Sequence, residues 1–431
     1  MARWSSYNIF APQEDGAALC FNARTGAILR LDAARYAEIL REEDLDDDVF
    51  ALFFEQGIIV EDDTDEIALI EARHEEARGD PSSLSITIEL TEACNFRCAY
   101  CYQAHAKEHL TEEAERRIGL FLARKLDELS HLHINWFGGE PLTRLPVMRR
   151  LATRLAAQAR ESDCRVTQHV TTNGYLLTPD VAAELRELGI GNVQITLDGA
   201  RAAHDASRPL ASGLGSYERV LAGCRNVIDA GMELLVRINL TRLNCDTVEE
   251  LLDDLIAHAI TPDKAAIHVV RAVDHGNLGE GPASICFRNA EFAERWGRIL
   301  ESVAQRGFGT PSVSPIAYNC PFDLEQAVMI GRDASLRQCS STDGVIAQIG
   351  PDGEEVKAGG AYQRIKTHRP TDDAGCRSCR FLPLCMGGCA YLRERGEEAC
   401  NPERYIMPQL VTLYARQSSP QETERIGGND G

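Results

Sequence analysis

Nowhere in the 431 residues does an apolar run reach the roughly 18 needed to cross a bilayer as a helix, so no membrane span is expected. The opening Met1-Ala-Arg-Trp-Ser-Ser-Tyr7 has no signal-peptide hydrophobic region, and the expected location is the cytoplasm. Positive charge is scarce. Against 45 Lys and Arg stand 66 Asp and Glu, a formal net charge of −21. Phosphate backbones and anionic membrane surfaces attract basic proteins, so neither nucleic acid nor membrane is an expected partner. Repeats of solenoid type are missing, and low complexity is confined to the polar tail Ser418–Gly431. His105, His109, His268 and His275 lack the spacing of metal ligands and are read as ordinary side chains.

Cysteine, by contrast, is abundant. Fifteen cysteines in a chain with no leader segment point to metal ligation rather than to disulfides. Three of them, Cys94, Cys98 and Cys101, stand at C-x3-C-x2-C directly after the apolar segment Leu84–Leu90. A tight loop leaving a strand can turn three thiolates onto one iron–sulfur cube, and three ligands for four irons leave one iron open for chemistry. A zinc knuckle missing a ligand, or three buried thiols, are the plainer alternatives.

The chain divides by pattern. Residues 1–78 read as a small α+β unit with strands at Tyr7–Phe10, Ala17–Phe21 and Ala27–Leu31. A helix capped by Asp32 follows, with Tyr36, Ile39 and Leu40 on its apolar side, then a helix at Val49–Glu55 and a strand at Gly57–Val60. This arrangement is winged-helix-like. The charged stretch Glu66–Asp80 reads as a linker helix, and the acid of residues 42–48 and 61–76 as solvated helix faces or a surface for a basic leader peptide. From Leu84, strands at 84–90, 131–137, 165–171, 192–197, 233–240 and 265–270 alternate with helices near 111–128, 145–162, 178–189, 216–231 and 247–258. Such alternation demands a parallel sheet, with ligands at the C-terminal ends of its strands. The rhythm stops near residue 310, where the chain becomes cysteine-rich.

Several motifs fall at those strand ends. Gly138-Gly139-Glu140 follows the second strand, where two glycines allow close approach of a ligand and Glu140 offers an acceptor for an ammonium group. Asn173-Gly174 closes the third strand and Thr196-Leu197-Asp198-Gly199 the fourth, turn chemistry in either case. His204-Asp205-Ala-Ser-Arg208 follows, with an arginine able to grip a carboxylate bidentately. Asn239 ends the fifth strand at the same mouth.

Taken with the cysteine loop, these words resemble the radical S-adenosylmethionine (SAM) superfamily in kind and in order. The resemblance implies an α/β fold, a partial (β/α)6 barrel over 79–310. It implies a 4Fe–4S cluster on Cys94, Cys98 and Cys101 whose open iron chelates SAM, reductively cleaved to a hydrogen-abstracting 5′-deoxyadenosyl radical. By the same resemblance Tyr100 lies against the adenine, Gly138, Gly139 and Glu140 meet the amino group of SAM, Asn173 and Thr196 border it, and Arg208 holds its carboxylate.

Downstream, Cys376-x2-Cys379-x5-Cys385-x3-Cys389, trailed by Cys400, is similar to the SPASM domain, which would occupy 311–417. That likeness implies auxiliary 4Fe–4S clusters, one on Cys376, Cys379, Cys385 and Cys400, with Cys389 crossing to another. Four thiolates suit zinc as well. The upstream half departs from the family. Cys339 and Gly353 fit C-x(9–15)-G-x4-C, but Ala358 stands at the last cysteine position, and another frequent cysteine is missing where Thr342–Ile346 stands. Cys320 is a possible recruit. Cys20, Cys164, Cys224, Cys245 and Cys286 read as plain core or surface residues.

The N-terminal unit resembles the leader-binding element of enzymes that modify ribosomally made peptides. The whole is similar to radical SAM/SPASM peptide maturases, which implies a precursor peptide and an electron donor such as flavodoxin or ferredoxin as partners. A sulfatase-type protein maturase and, in another class, a non-catalytic iron–sulfur electron carrier are the alternatives. No catalytic acid or base is legible.

Overall fold

The computed structural model describes residues 1–43, 45–78, 81–274, 285–342, 344–357, 369–417 and 424–426. Among them no helix is long and apolar enough to cross a membrane. Ala358, His275 and most of the 418–431 tail lie outside the described residues.

Six strands alternate with helices as the patterning requires. They are β6 (Ser83–Glu89), β7 (His131–Phe137), β8 (Arg165–Thr172), β9 (Ile190–Thr196), β10 (Glu233–Leu240) and β11 (Ala265–Arg271). All five pairings between them are parallel, and consecutive strands are neighbours. The joining helices are amphipathic. α4 (Glu112–Glu128) turns Ile118, Phe121, Leu122 and Leu126 into the core and is capped by Thr111, whose hydroxyl accepts from the Ala114 N–H. The next helix, α5 (Leu145–Ala159), buries Val147, Met148, Leu151 and Leu155.

The sheet does not stop at the sixth strand. β12 (Ala327–Ile330) pairs parallel with β6 on its other side, and β13 (Ser335–Arg337), β14 (Val345–Ile349) and β15 (Glu355–Lys357) extend it antiparallel to ten strands. A long helix, Asn289–Gln305, buries Phe292, Trp296, Ile299, Leu300 and Val303 beside this sheet.

In the N-terminal unit, β2 (Asn8–Pro12), β3 (Ala18–Asn22) and β4 (Ile28–Leu31) form an antiparallel sheet, extended in parallel from β4 by Glu424–Ile426. α1 (Ala33–Leu40) starts at Asp32 as its cap predicts, and α2 (Asp47–Glu55) follows. Leu40 departs from expectation. At 67% exposure it lies off the apolar stripe of Tyr36 and Ile39. A strand the sequence reading lacked, β1 (Ala2–Trp4), pairs with β5 (Ile59–Glu61).

The period-2 alternation of β3 feeds two cores. Cys20 faces a small local one with Leu29, Leu31, Phe53 and Ile58, whereas Leu19 and Phe21 join the main core of the molecule. The expected linker helix is likewise anchored. α3 (Glu66–Arg78) buries Ile70 and His74, and Glu66 is not a solvated acid. Its carboxylate accepts from Arg3, Arg24, the Ser5 hydroxyl and the Ser6 N–H.

Candidate active site and cysteine centres

The loop carrying Cys94, Cys98 and Cys101 leaves the C-terminal end of β6 and is laced to its surroundings by backbone bonds. Arg97 N–H donates to Pro209 O at 2.9 Å, Ala99 N–H to Ser207 O at 2.9 Å, and Ala211 N–H to Asn95 O at 2.7 Å. Phe96 N–H donates to the Cys94 sulfur at 3.3 Å. All three cysteines are half-buried, and the titration of Cys98 feels both Cys94 and Cys101 while that of Cys94 feels Cys101. Burial pushes Cys94 up to about 11 and Cys98 up to about 12, so a cation must displace the proton for either to ligate as thiolate.

Gly138-Gly139 serves this loop directly. Gly139 N–H donates to Thr91 O at 2.8 Å and Glu140 N–H to Ala93 O at 3.0 Å. A Cβ on Gly139 would stand 2.5 Å from Ala93 O, and Gly138 has φ +144°. The close approach that needs glycine is thus to the cysteine loop's own backbone. Glu140 is fully buried between strand ends. Its Oε1 accepts from Leu142 N–H at 3.0 Å and Thr172 Oγ1 at 2.7 Å, and its Oε2 from Asn173 N–H at 2.8 Å. Burial nonetheless raises its pKa, with those hydrogen bonds opposing. Asn173 in turn donates to Asn95 Oδ1 at 2.7 Å and sits 3.8 Å from the Cys94 sulfur. Glu140 and Asn173 therefore tie β7 and β8 to the cysteine loop.

Opposite lies a buried polar knot. The Tyr100 hydroxyl donates to Asp198 and accepts from Arg208 Nη1 at 2.6 Å and Asn239 Nδ2 at 3.1 Å. Asp198 Oδ1 accepts from Asn239 N–H at 2.7 Å, and Arg237 Nε donates to Asn239 Oδ1 at 2.9 Å. The Arg208 guanidinium lies over the Phe96 ring at 5.5 Å. Burial raises the pKa of Asp198 and of all three thiols, and Arg208 opposes it at each, the shared cation of the site. Thr196 is buried at the end of β9, two residues before Asp198.

The His204–Arg208 motif separates into parts. His204 is buried on α7 (Arg201–Ser207), and its Nδ1 accepts from Asp198 N–H at 3.1 Å. That fixes the tautomer with Nε2–H donating to Ser216 Oγ at 3.1 Å, while the Ser216 hydroxyl donates to Arg208 O at 2.8 Å. Asp205 accepts from the Ser216 and Tyr217 N–H groups at the start of α8 (Tyr217–Asp229). Within the motif, only Arg208 reaches the knot. From sequence Asp198 reads only as part of a turn, and Arg237 carries no signal of its own beyond its strand. The alternation of β10, which sets Arg237 and Asn239 on one face, was the available signal.

The second cysteine group converges as well. Cys376, Cys379, Cys385 and Cys400 line one cavity of about 420 Å³ with Phe381, Leu384, Arg393, Arg404 and Met407. A crossing delivers Cys400. Gly388, at φ +72°, lies so tight against Ala399 that no Cβ would fit, and Cys389 N–H donates to Ala399 O at 3.0 Å. Among the described residues no three His, Cys, Asp or Glu side chains close on a single ion. Four thiols lining one cavity are a donor set that an iron–sulfur cluster fits.

Cys389 stands apart from that cavity and is electrostatically coupled to Cys339, whose sulfur accepts from Ser341 N–H at 3.4 Å. The Cys320 loop reaches the neighbourhood of Cys400, where Asn401 Nδ2 donates to Asn319 Oδ1 at 2.8 Å. Gly353 packs on the α4 backbone, where a Cβ would stand 2.6 Å from Phe121 N. A cleft of about 1050 Å³ runs from Tyr102 and Gln103, just past the first cysteine loop, to Ser340 and Ser341, just past Cys339, with Glu89, Arg332 and Arg337 along its wall.

A family model described as Radical SAM superfamily matches residues 88–255. The chain is 31% identical over 337 residues to the mycofactocin maturase MftC of Mycobacterium tuberculosis, covering 72% of this chain and 79% of that protein. It is 30% identical over 184 residues to the Fe-coproporphyrin III synthase of Methanosarcina barkeri, less than half of either chain. Among solved structures, anSMEcpe with bound AdoMet and Cp18Cys peptide superposes with a TM-score of 0.61 at 16% identity, over 78% of this chain and 100% of that one. SuiB of Streptococcus suis bound to precursor peptide SuiA gives 0.55 at 14% identity, over 93% of this chain and 99% of that one.

Proposed function

Because this chain belongs to the radical SAM superfamily, we infer that it is an enzyme that cleaves S-adenosylmethionine reductively and takes hydrogen from a ribosomally made precursor peptide. The outcome is a crosslink or an altered residue. The carrying observation is that Glu140 and Asn173, from the ends of β7 and β8, and Arg208, from the end of α7, gather around the three-cysteine loop.

When bound, a 4Fe–4S cluster and SAM supply one-electron cleavage to a hydrogen-abstracting radical. Cys94, Cys98 and Cys101 are the residues to hold that cluster. Glu140, with Gly138 and Gly139, holds the loop in shape and offers carboxylate lone pairs toward an ammonium group. Asn173 and Thr196 border the same space, and Tyr100 presents its ring with its hydroxyl pinned at Asp198. Arg208 provides the cation for a carboxylate. Cys376, Cys379, Cys385 and Cys400 hold an auxiliary cluster, and Cys339 with Cys389 begins a second, with Cys320 as a further ligand by rearrangement.

The cleft between the first cysteine loop and Cys339 gives a peptide segment room beside both centres. A leader adding a strand to the N-terminal sheet would anchor the precursor nearby. Two features support this reading: the mycofactocin maturase likeness spans 72% of the chain, and SuiB was solved with a precursor peptide. A one-electron donor such as flavodoxin or ferredoxin completes the system. A reducing compartment such as the cytoplasm suits thiolate-ligated clusters.

The test is anaerobic reconstitution followed by SAM and dithionite. 5′-Deoxyadenosine must accumulate, and a peptide encoded beside the gene must change mass in its presence. Reconstituted protein that leaves SAM intact overturns the proposal.

A further inference from the structure

Around the four-cysteine cavity, two arginines point at ligand sulfurs from different sides. Arg404 Nη1 donates to the Cys400 sulfur at 3.2 Å, and Arg393 Nη2 to the Cys376 sulfur at 3.5 Å. Arg393 is half-buried, and Arg404, though exposed, is packed on two rings. Arg404 lies over Phe381 at 5.9 Å and over Tyr405 at 5.8 Å. Arg393 also donates to Gly387 O and pairs with Asp373 Oδ2 at 3.2 Å. Asp373 belongs to the same scaffold, accepting from Cys376 N–H at 2.9 Å.

We infer that Arg393 and Arg404 hold the reduction potential of a cluster in this cavity up. The inference rests on the ligand set proposed above. Adding one electron makes a thiolate-ligated cluster one unit more negative. A guanidinium donating to a ligand sulfur stabilises that extra charge more than the oxidised state, and a half-buried site screens the effect poorly.

The two arginines are not equal. The charge of Arg393 is largely offset by Asp373, whereas Arg404 makes no ion pair among the described residues. Arg404 therefore carries the larger share. The two act as positioning and tuning residues and take no part in bond making.

An EPR-monitored redox titration of the full chain tests this. The variant lacking Cys94, Cys98, Cys101, Cys339 and Cys389 removes the signals of the first cluster and of any centre at Cys339, so the remaining signal reports the four-cysteine cavity. Arg404→Gln is expected to move its midpoint to more negative potential and Arg393→Gln to move it less, with iron content unchanged. Arg404→Lys, which keeps the charge, should retain the cluster and most of the wild-type midpoint even if the Gln variant loses iron. A midpoint that is the same in wild type, Arg404→Gln and Arg393→Gln, or one that falls as far in Arg404→Lys as in Arg404→Gln, overturns the inference while leaving the ligand set intact. A signal and iron content indifferent to Cys376→Ala and Cys400→Ala would remove the ligand set and the inference together.

Discussion

Arg208 and Asp198 face each other at 3.6 Å with side-chain exposures of 5% and 0%. Between them stands the Tyr100 hydroxyl, which takes a hydrogen bond from the arginine and gives one to the carboxylate. Three residues from three segments thus close a buried charge pair beside the cysteine loop.

Breaking that pair has a large expected cost. Arg208→Ala leaves Asp198 buried and unpaired, and a loss of about 3–5 kcal/mol is typical of such a change. Thermal unfolding under anaerobic conditions measures it. SAM affinity should fall at least about tenfold, the equivalent of one lost charged contact. Wild-type affinity in a folded Arg208→Ala protein would remove the carboxylate role from this residue.

Gly139→Ala tests the fit of the second strand end against the cysteine loop. The new Cβ would stand 2.5 Å from Ala93 O, and neither backbone has room to yield. A destabilisation of about 1–3 kcal/mol is expected from the overlap, with poor iron uptake as the loop shifts. Iron analysis after reconstitution reads the second effect independently of unfolding. Normal uptake would mean that the loop tolerates displacement.

His204 should make stability depend on pH. Burial holds its pKa well below 6.5, so the folded protein keeps it neutral while the unfolded chain takes up a proton. Stability is then fully present above about pH 6.5 and declines as pH falls, by about 1 kcal/mol between pH 7 and pH 5.5 from this residue alone. Chemical denaturation at the two pH values, in wild type and His204→Gln, isolates the term. An unchanged slope in the variant would show that another group carries the dependence.

The cysteines should separate by iron content. Removing Cys379 or Cys385 is expected to lower bound iron by about four per chain. Replacing Cys20 or Cys224, both buried in apolar surroundings with thiols raised by burial alone or nearly so, should leave iron unchanged. Equal losses in both sets would point to general unfolding instead.

Much of this was legible. The six strands of the barrel, the Asp32 cap and the cysteine groups follow from local pattern, because alternation, capping and ligand spacing are properties of neighbours in the chain. Gly139 was legible as a place needing close approach, but not what approaches it, since Ala93 lies 46 positions earlier. Of the His204–Arg208 motif, only the arginine had a role legible in the sequence. In the fold, His204 anchors the turn at Asp198 and Asp205 binds the start of α8, leaving Arg208 alone in the site. The embedding of the N-terminal unit in the main core was invisible too, because β3 is buried on both faces and period 2 does not say by what.

The sequence by itself determined the class of chemistry: three cysteines on one strand-end loop and four more in a dense run. Tertiary structure alone decided which side chains share a site. Arg208, Tyr100, Asp198 and Asn239 come from four separate segments, and Cys400 reaches its cavity only through the crossing at Gly388. Spacing along a chain records which groups are available. Their meeting depends on packing between distant segments, which no local pattern encodes.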